Sequence, residues 1–193
     1  MSPGSHLLAS WLLANSAPIE RRERRIVTLT GLVPDLDGIG WFIDHAKQLF
    51  GSSSDYYLQY HHLLAHNIVA SFVIAAAAAI LVTQKRTMVF LLALFAVHLH
   101  FVCDVAGSQG PDGYQWPIYY FSPFDMKTEW VWSGQWELDA WQNITITLAM
   151  LTVAISMGWR QRYSFVEVIS VWLDREFFKM LDRYGYLKPS ARE

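Results

Sequence analysis

Imidazole and carboxylate groups are the side chains that hold zinc and similar divalent ions. In this 193-residue chain four short stretches gather six of the seven histidines with three aspartates. These are His6, the turn Pro34-Asp35-Leu36-Asp37, the run His61-His62-Leu63-Leu64-Ala65-His66, and His98-Leu99-His100-Phe101-Val102-Cys103-Asp104. His100 and Asp104 are four apart and share one face of a helix. His62 and His66 are also four apart. His61 and His66 converge only if His61 precedes the helix start. Asp35 and Asp37 flank Leu36 in a proline-led turn, where paired carboxylates bridge two metals or act as base toward water at a metal. Each pattern also has an ordinary explanation: a hydrogen-bonded surface pair, a core histidine, a solvated turn. Burying imidazoles and a carboxylate beside an uncharged apolar run without partners is costly, and this favours ligands.

Helices must position these groups, because strand-like alternation is nearly absent. The pattern predicts helices over 5–17, 24–33, 39–50, 60–83, 87–105 and 164–184. Pro34 ends the second, since the residue before proline disfavours helical geometry. Each ligand stretch sits at the edge of an apolar segment, and neighbouring segments alternate in direction. An up-down bundle therefore brings all four stretches to one end. The class is all-α, a single domain over 1–187 with a tail at 188–193. Residues 107–139 form a long irregular loop too aromatic to be disordered. It carries Tyr114, Trp116, Tyr119, Tyr120, Trp130, Trp132 and Trp136, and reads as a structured lid or a surface resting in lipid headgroups. The segment 164–184 is amphipathic, with Val166, Ile169, Leu173, Phe177, Met180 and Leu181 as its apolar stripe.

Composition points to a membrane. Hydrophobic residues make up 53% of the chain, and stretches 59–84, 87–103 and 140–159 lack Asp, Glu, Lys and Arg. The last two fit bilayer spans, the middle one with its histidines at the outer end, and Trp141 and Trp159 resemble interfacial anchors. Basic residues mark the turns at Arg21–Arg25, Lys85-Arg86 and Arg160/Arg162, while acidic residues dominate the opposite ends. The expectation is a multi-pass protein, and the positive-inside tendency puts its metal cluster on the extracytoplasmic side. A net charge of -2 gives no reason to expect nucleic acid. The single Cys103 rules out an internal disulfide. No secretory signal is expected, because the basic residues follow the apolar segment His6–Ala17 instead of preceding it.

Four pieces in order resemble the LexA-binding, inner membrane-associated metal-dependent hydrolase family. They are Ser5-His6-Leu7-Leu8-Ala9-Ser10, Gly31-Leu32-Val33-Pro34-Asp35-Leu36-Asp37, His61 to Asn67, and His100-Phe101-Val102-Cys103-Asp104 with Gly110 and Trp116-Pro117 downstream. The resemblance covers about residues 5–123. It implies a ligand set of His6, Asp35, Asp37, His61, His66, His100 and Asp104, choosing His61 over His62 and His100 over His98. It also implies an inner-membrane location and a fold distantly similar to zinc-dependent phospholipase C, an analogy at the level of fold. The chain departs from the family's His-Arg-Gly-x-Thr-His-Ser at His62, Leu63, Ala65 and Asn67. Loss of the Arg puts phosphoester specificity in question.

The expectation is a membrane-bound hydrolase holding one to three divalent ions, zinc foremost, with Asp37 as the base. Its substrate would be a phosphoester or lipid-like molecule, and membrane lipid its surroundings. The rival readings are a membrane protein that binds metal or haem without catalysis, and a soluble helical interaction module.

Overall fold

The computed structural model describes residues 1–110 and 113–186, and of Leu58 the main chain only. Pro111, Asp112 and the tail expected at 188–193 lie outside the described residues.

The chain is helical, as its periodicity predicts. Helix α1 (Pro3–Ala14) starts at Ser2, whose hydroxyl accepts from the Ser5 amide, with proline in its first turn. Helix α2 (Arg21–Thr30) ends three residues before the expected boundary. A 3-10 helix, Pro34–Ile39, then leads into α3 (Gly40–Leu49). The short α4 is Tyr56–Tyr60. Two antiparallel neighbours follow, α5 (Ile68–Ile80) and α6 (Arg86–Gly107). Next come α7 (Trp141–Gln161), a 3-10 turn at Phe165–Val168, and α8 (Val171–Arg183).

The expected helix over 60–83 is in fact broken. His61 is extended and His62 takes a left-handed backbone (φ 67). Helix α5 restarts only at Asn67, whose side chain accepts from the Ala70 amide at 2.8 Å. The histidine run is thus a loop between two helices. The expected final helix is also divided, by Ser170 capping α8.

Helices α1, α2, α5 and α6 pack around one another, and α7 packs on α1. Ala75, Ala78 and Ala93 let α5 and α6 approach closely above Val27, Val82 and Val89. Trp11, fully buried, joins α1 to Ala154 of α7 and to Val168. Residues 113–139 form no strand, only isolated bridges such as Ile118 with Trp130. That loop is fixed from within. Gln135 donates to the Asp104 carbonyl at 2.9 Å, and Asn143 accepts from Trp136 Nε1 at 2.8 Å. Ile118 plugs into Val97 and Phe101 of α6.

Among the described residues, α6 is the one unbroken helix long and apolar enough to cross a bilayer. The pair α2 and 34–49, bent by 53°, would make a second if it acts as one broken span. Helix α5, at 13 residues, is too short to span, and of the two expected spans, 87–103 and 140–159, only the one in α6 passes on length and composition. Large apolar side chains nonetheless face outward along α5, α6 and α7, among them Phe72, Val73, Leu91, Phe95, Leu148 and Ile155.

Candidate metal centre

The sequence places His6, Asp35, His66, His100 and Asp104 on four separate elements, and the bundle brings them to one end. Asp104 lies at the centre, buried on α6. His100, one turn earlier, puts Nε2 2.9 Å from Asp104 Oδ2. His66 and His62 aim their Nε2 atoms at the same oxygen from 3.5 and 3.9 Å. On the other side, His6 Nε2 lies 3.1 Å from Asp104 Oδ1, and its ring stacks on His100 at 3.7 Å. Asp35 Oδ1 approaches His100 Nε2 at 3.7 Å. The Met1 ammonium also contacts Asp104 Oδ1, at 2.5 Å.

Two groups of donors result. His6, Asp35, His100 and Asp104 each offer one atom within 4.8 Å of the others, and so do His62, His66 and Asp104. Asp104 is common to both. Tetrahedral zinc with nitrogen and oxygen ligands near 2.0–2.1 Å spaces its donors about 3.3 Å apart. The distances around Asp104 bracket that value.

Hydrogen bonds behind the rings decide which nitrogens are free. His100 Nδ1 faces the Gly31 carbonyl at 2.8 Å and must donate to it. A neutral His100 therefore carries a lone pair on Nε2. His66 Nδ1 meets Asp37 Oδ2 at 2.9 Å and His61 Nδ1 meets Asp37 Oδ1 at 2.7 Å. Asp37 also accepts from the Ala65 amide at 3.2 Å. The Nε2 atoms of His66 and His100 then face each other at 3.1 Å, beside an Asp104 Oδ2 that is buried and makes no hydrogen bond. Three electron-rich atoms in contact need a cation among them, either a proton or a metal.

Without metal, the proton goes to His66. Burial lowers its pKa, but the Asp104 and Asp37 carboxylates beside the ring outweigh burial and push it up to about 9. Burial and the neighbouring His66 hold His62 well below its ordinary value, so His62 stays neutral and can ligate. Burial opposes ionisation of Asp37, yet the His61 and His66 hydrogen bonds keep it charged.

The structure therefore sorts the expected ligands. His6, Asp35, His66, His100 and Asp104 fall in the two groups. Asp37 and His61 do not. Asp37, expected as ligand and base, turns both oxygens to the backs of His61 and His66, where it fixes their orientation. His61 stands beside the groups, its ring 4.3 Å from that of His62. His62 takes a place that the resemblance did not give it. The four-residue spacing of His62 and His66 had paired these two against the resemblance, and the structure groups them, although in a loop and not on a helix. His98 is turned away, with Nδ1 against the Leu94 carbonyl and Nε2 against the Tyr120 hydroxyl.

A cavity of about 1000 Å³ opens over Asp35, His61, His62 and Asp104, walled by Tyr57 and Trp116. The cluster thus has an open side.

No curated protein and no solved structure matches the chain. A family model does match, over residues 1–173, which include every residue of the cluster. On that match, the chain belongs to the YdjM inner membrane protein family.

Proposed function

We propose that this protein is a membrane-bound hydrolase of phosphoesters that works with divalent metal, zinc foremost, held around Asp104. One observation carries the reading: the buried Asp104 Oδ2, without a hydrogen bond, is faced by the Nε2 atoms of His62, His66 and His100. A divalent cation held there would supply Lewis acidity toward a phosphoryl oxygen and make water more acidic. The cavity over the cluster supports catalysis over a purely structural metal, whose ligand set is closed.

The chain's own groups have distinct tasks in this reading. Asp37 and the Gly31 carbonyl hold His66 and His100 with Nε2 inward, as outer partners of metal-ligating histidines do. We assign the base to Asp35 instead of Asp37. Asp35 Oδ2 makes no hydrogen bond and Asp35 lines the cavity, whereas both Asp37 oxygens are engaged. Water would add to phosphorus as the bond to the leaving oxygen breaks. Asp35 would take the water's proton and return it to that oxygen, giving a phosphate ester and an alcohol. Among the described residues no Lys or Arg lines the cavity, so substrate charge would be met by metal, imidazole and the Met1 ammonium.

The centre would face the extracytoplasmic side. Arg22 reaches the Leu81 carbonyl at 2.9 Å and Lys85 contacts the Pro18 carbonyl, so two basic turns meet at the end opposite Asp104. Basic turns favour the cytoplasm.

The test is metal analysis of the purified protein alongside hydrolysis of bis(p-nitrophenyl) phosphate by wild type and His100→Ala. The reading expects bound metal and turnover in wild type and loss of both in the variant. Metal-free wild-type protein, with full occupancy attempted, would remove it.

A further inference from the structure

The cavity over Asp104 has one wall unlike the rest. Leu36, Ile39 and Phe42 line it, yet they are 68%, 62% and 67% exposed. From Ile39 the apolar positions continue as Phe42, Ile43, Ala46, Leu49 and Phe50. Within α3, Phe42, Ile43, Ala46 and Leu49 keep one face by this spacing of three and four residues; Ile39 ends the turn before it and Phe50 caps its end. All are exposed, Leu49 and Phe50 by 83% and 89%. Helix α3 packs chiefly on α4 and the 34–39 turn and leaves this face uncovered. The stripe is about 16 Å long at 1.5 Å per residue. It begins beside Asp35 and His62 and ends at the outer surface.

We propose that this stripe is the track for the apolar chain of a bilayer lipid, whose phosphoester then lies at the metal centre. The inference rests on the hydrolase reading above and adds the substrate class and its route. Three observations favour lipid as the occupant. The protein belongs to an inner-membrane family. The bent pair of α2 and 34–49, which includes α3, is long and apolar enough for a broken span, and the outward faces of α5, α6 and α7 are apolar as well. The inner end of the track holds His62 Nδ1 and Asp35 Oδ2, buried and without hydrogen-bond partners, where a polar headgroup would sit. Chain and headgroup thus find apolar and polar surface in the order a lipid presents them. The aromatic loop, expected to present the substrate, contributes Trp116 and Leu138 to the far wall.

The experiment uses the full-length, metal-loaded protein and water-soluble alkyl p-nitrophenyl phosphodiesters with chains of two to eight carbons, kept below micelle formation. Because these probes are monomeric, membrane anchoring does not enter. In wild type, kcat/KM should rise at least about tenfold across the series, since each buried methylene adds to binding. Ile39→Ser with Phe42→Ser should cut that gain to under about threefold. Both side chains are exposed, so folding is not at stake, and Leu36→Ser serves as a second variant. A flat wild-type series, or a gain that both variants leave intact, overturns the track while the hydrolase reading stands. If no ester is cleaved, that reading fails instead, and labelling by a phospholipid with a diazirine in its acyl chain decides the track. Label on residues 36–50 supports it; label confined to α5, α6 and α7 overturns it.

Discussion

The Nε2 atoms of His66 and His100 face each other 3.1 Å apart, although each ring already directs its Nδ1 to an acceptor behind it. Both atoms also border Asp104 Oδ2. Such an arrangement is stable only around a cation, and the choice between proton and metal governs the behaviour of the whole centre.

Asp104 belongs to both donor groups, and His62 to one. Asp104→Ala should therefore empty the centre, whereas His62→Ala should remove about half of the metal. Elemental analysis of the purified variants reads this directly. Equal metal content in both variants would exclude two cations sharing one carboxylate.

The His66 proton sets a pH dependence. In the metal-free protein its pKa lies at about 9, above the ordinary 6.5. A raised imidazole adds stability that is fully present below about pH 6.5 and lost as pH rises through about 9. Metal must displace that proton, so metal affinity should climb with pH over the same window. Calorimetry in buffers of different ionisation enthalpy should find close to one proton released per His66 site filled at pH 7. Binding without proton release would place the metal elsewhere.

Asp37 acts behind the metal ligands, so its loss should weaken the centre without abolishing it. Asp37→Asn should lower metal affinity about 10–100-fold. It should do so far more gently than Asp104→Ala under the same competition with a chelator. A loss as complete as that of Asp104→Ala would make Asp37 a direct ligand.

Gly31 packs where no side chain fits, for a Cβ there would lie 1.8 Å from Ser10 Oγ. Its carbonyl is also the acceptor for His100 Nδ1. Gly31→Ala should cost about 1–3 kcal/mol by forcing α1 and α2 apart. It should also reduce metal binding, because the His100 ring loses its anchor. A thermal melt with and without metal separates the two effects.

At the opposite end, Glu167 is fully buried and grips Arg24 through both oxygens, at 2.5 and 2.9 Å. The Arg24 guanidinium also lies 3.9 Å over the Tyr163 ring. Glu167→Ala would leave a buried cation short of its main partner, at about 3–5 kcal/mol. The melting temperature should fall while metal per folded protein stays at the wild-type level. Metal loss in the folded fraction would show that the two ends are coupled.

The helical class was legible because 3.6-residue periodicity and capping residues act locally. Pro34 is one such local signal. The break at His61–Asn67 was not legible. An apolar sequence leading into Ile68 reads as helix, but the Asp37 carboxylate pulls His61, Ala65 and His66 onto itself, and that contact spans 24 to 29 residues. Span counting failed for a related reason. Apolar composition reports what can be buried, while the length of each helix depends on where tertiary contacts stop it.

The order and chemical type of His6, Asp35, Asp37, His66, His100 and Asp104 are properties of the sequence. Alternation of helix direction then sends them to one end, so the existence of a polar cluster could be read from the chain. Which atoms face inward is decided only in three dimensions. The Gly31 carbonyl and the Asp37 carboxylate set the imidazole tautomers. They leave Asp37 behind the rings, because a histidine presents whichever nitrogen its distant partner does not hold, while His62 enters on a left-handed backbone in the loop that Asp37 gathers.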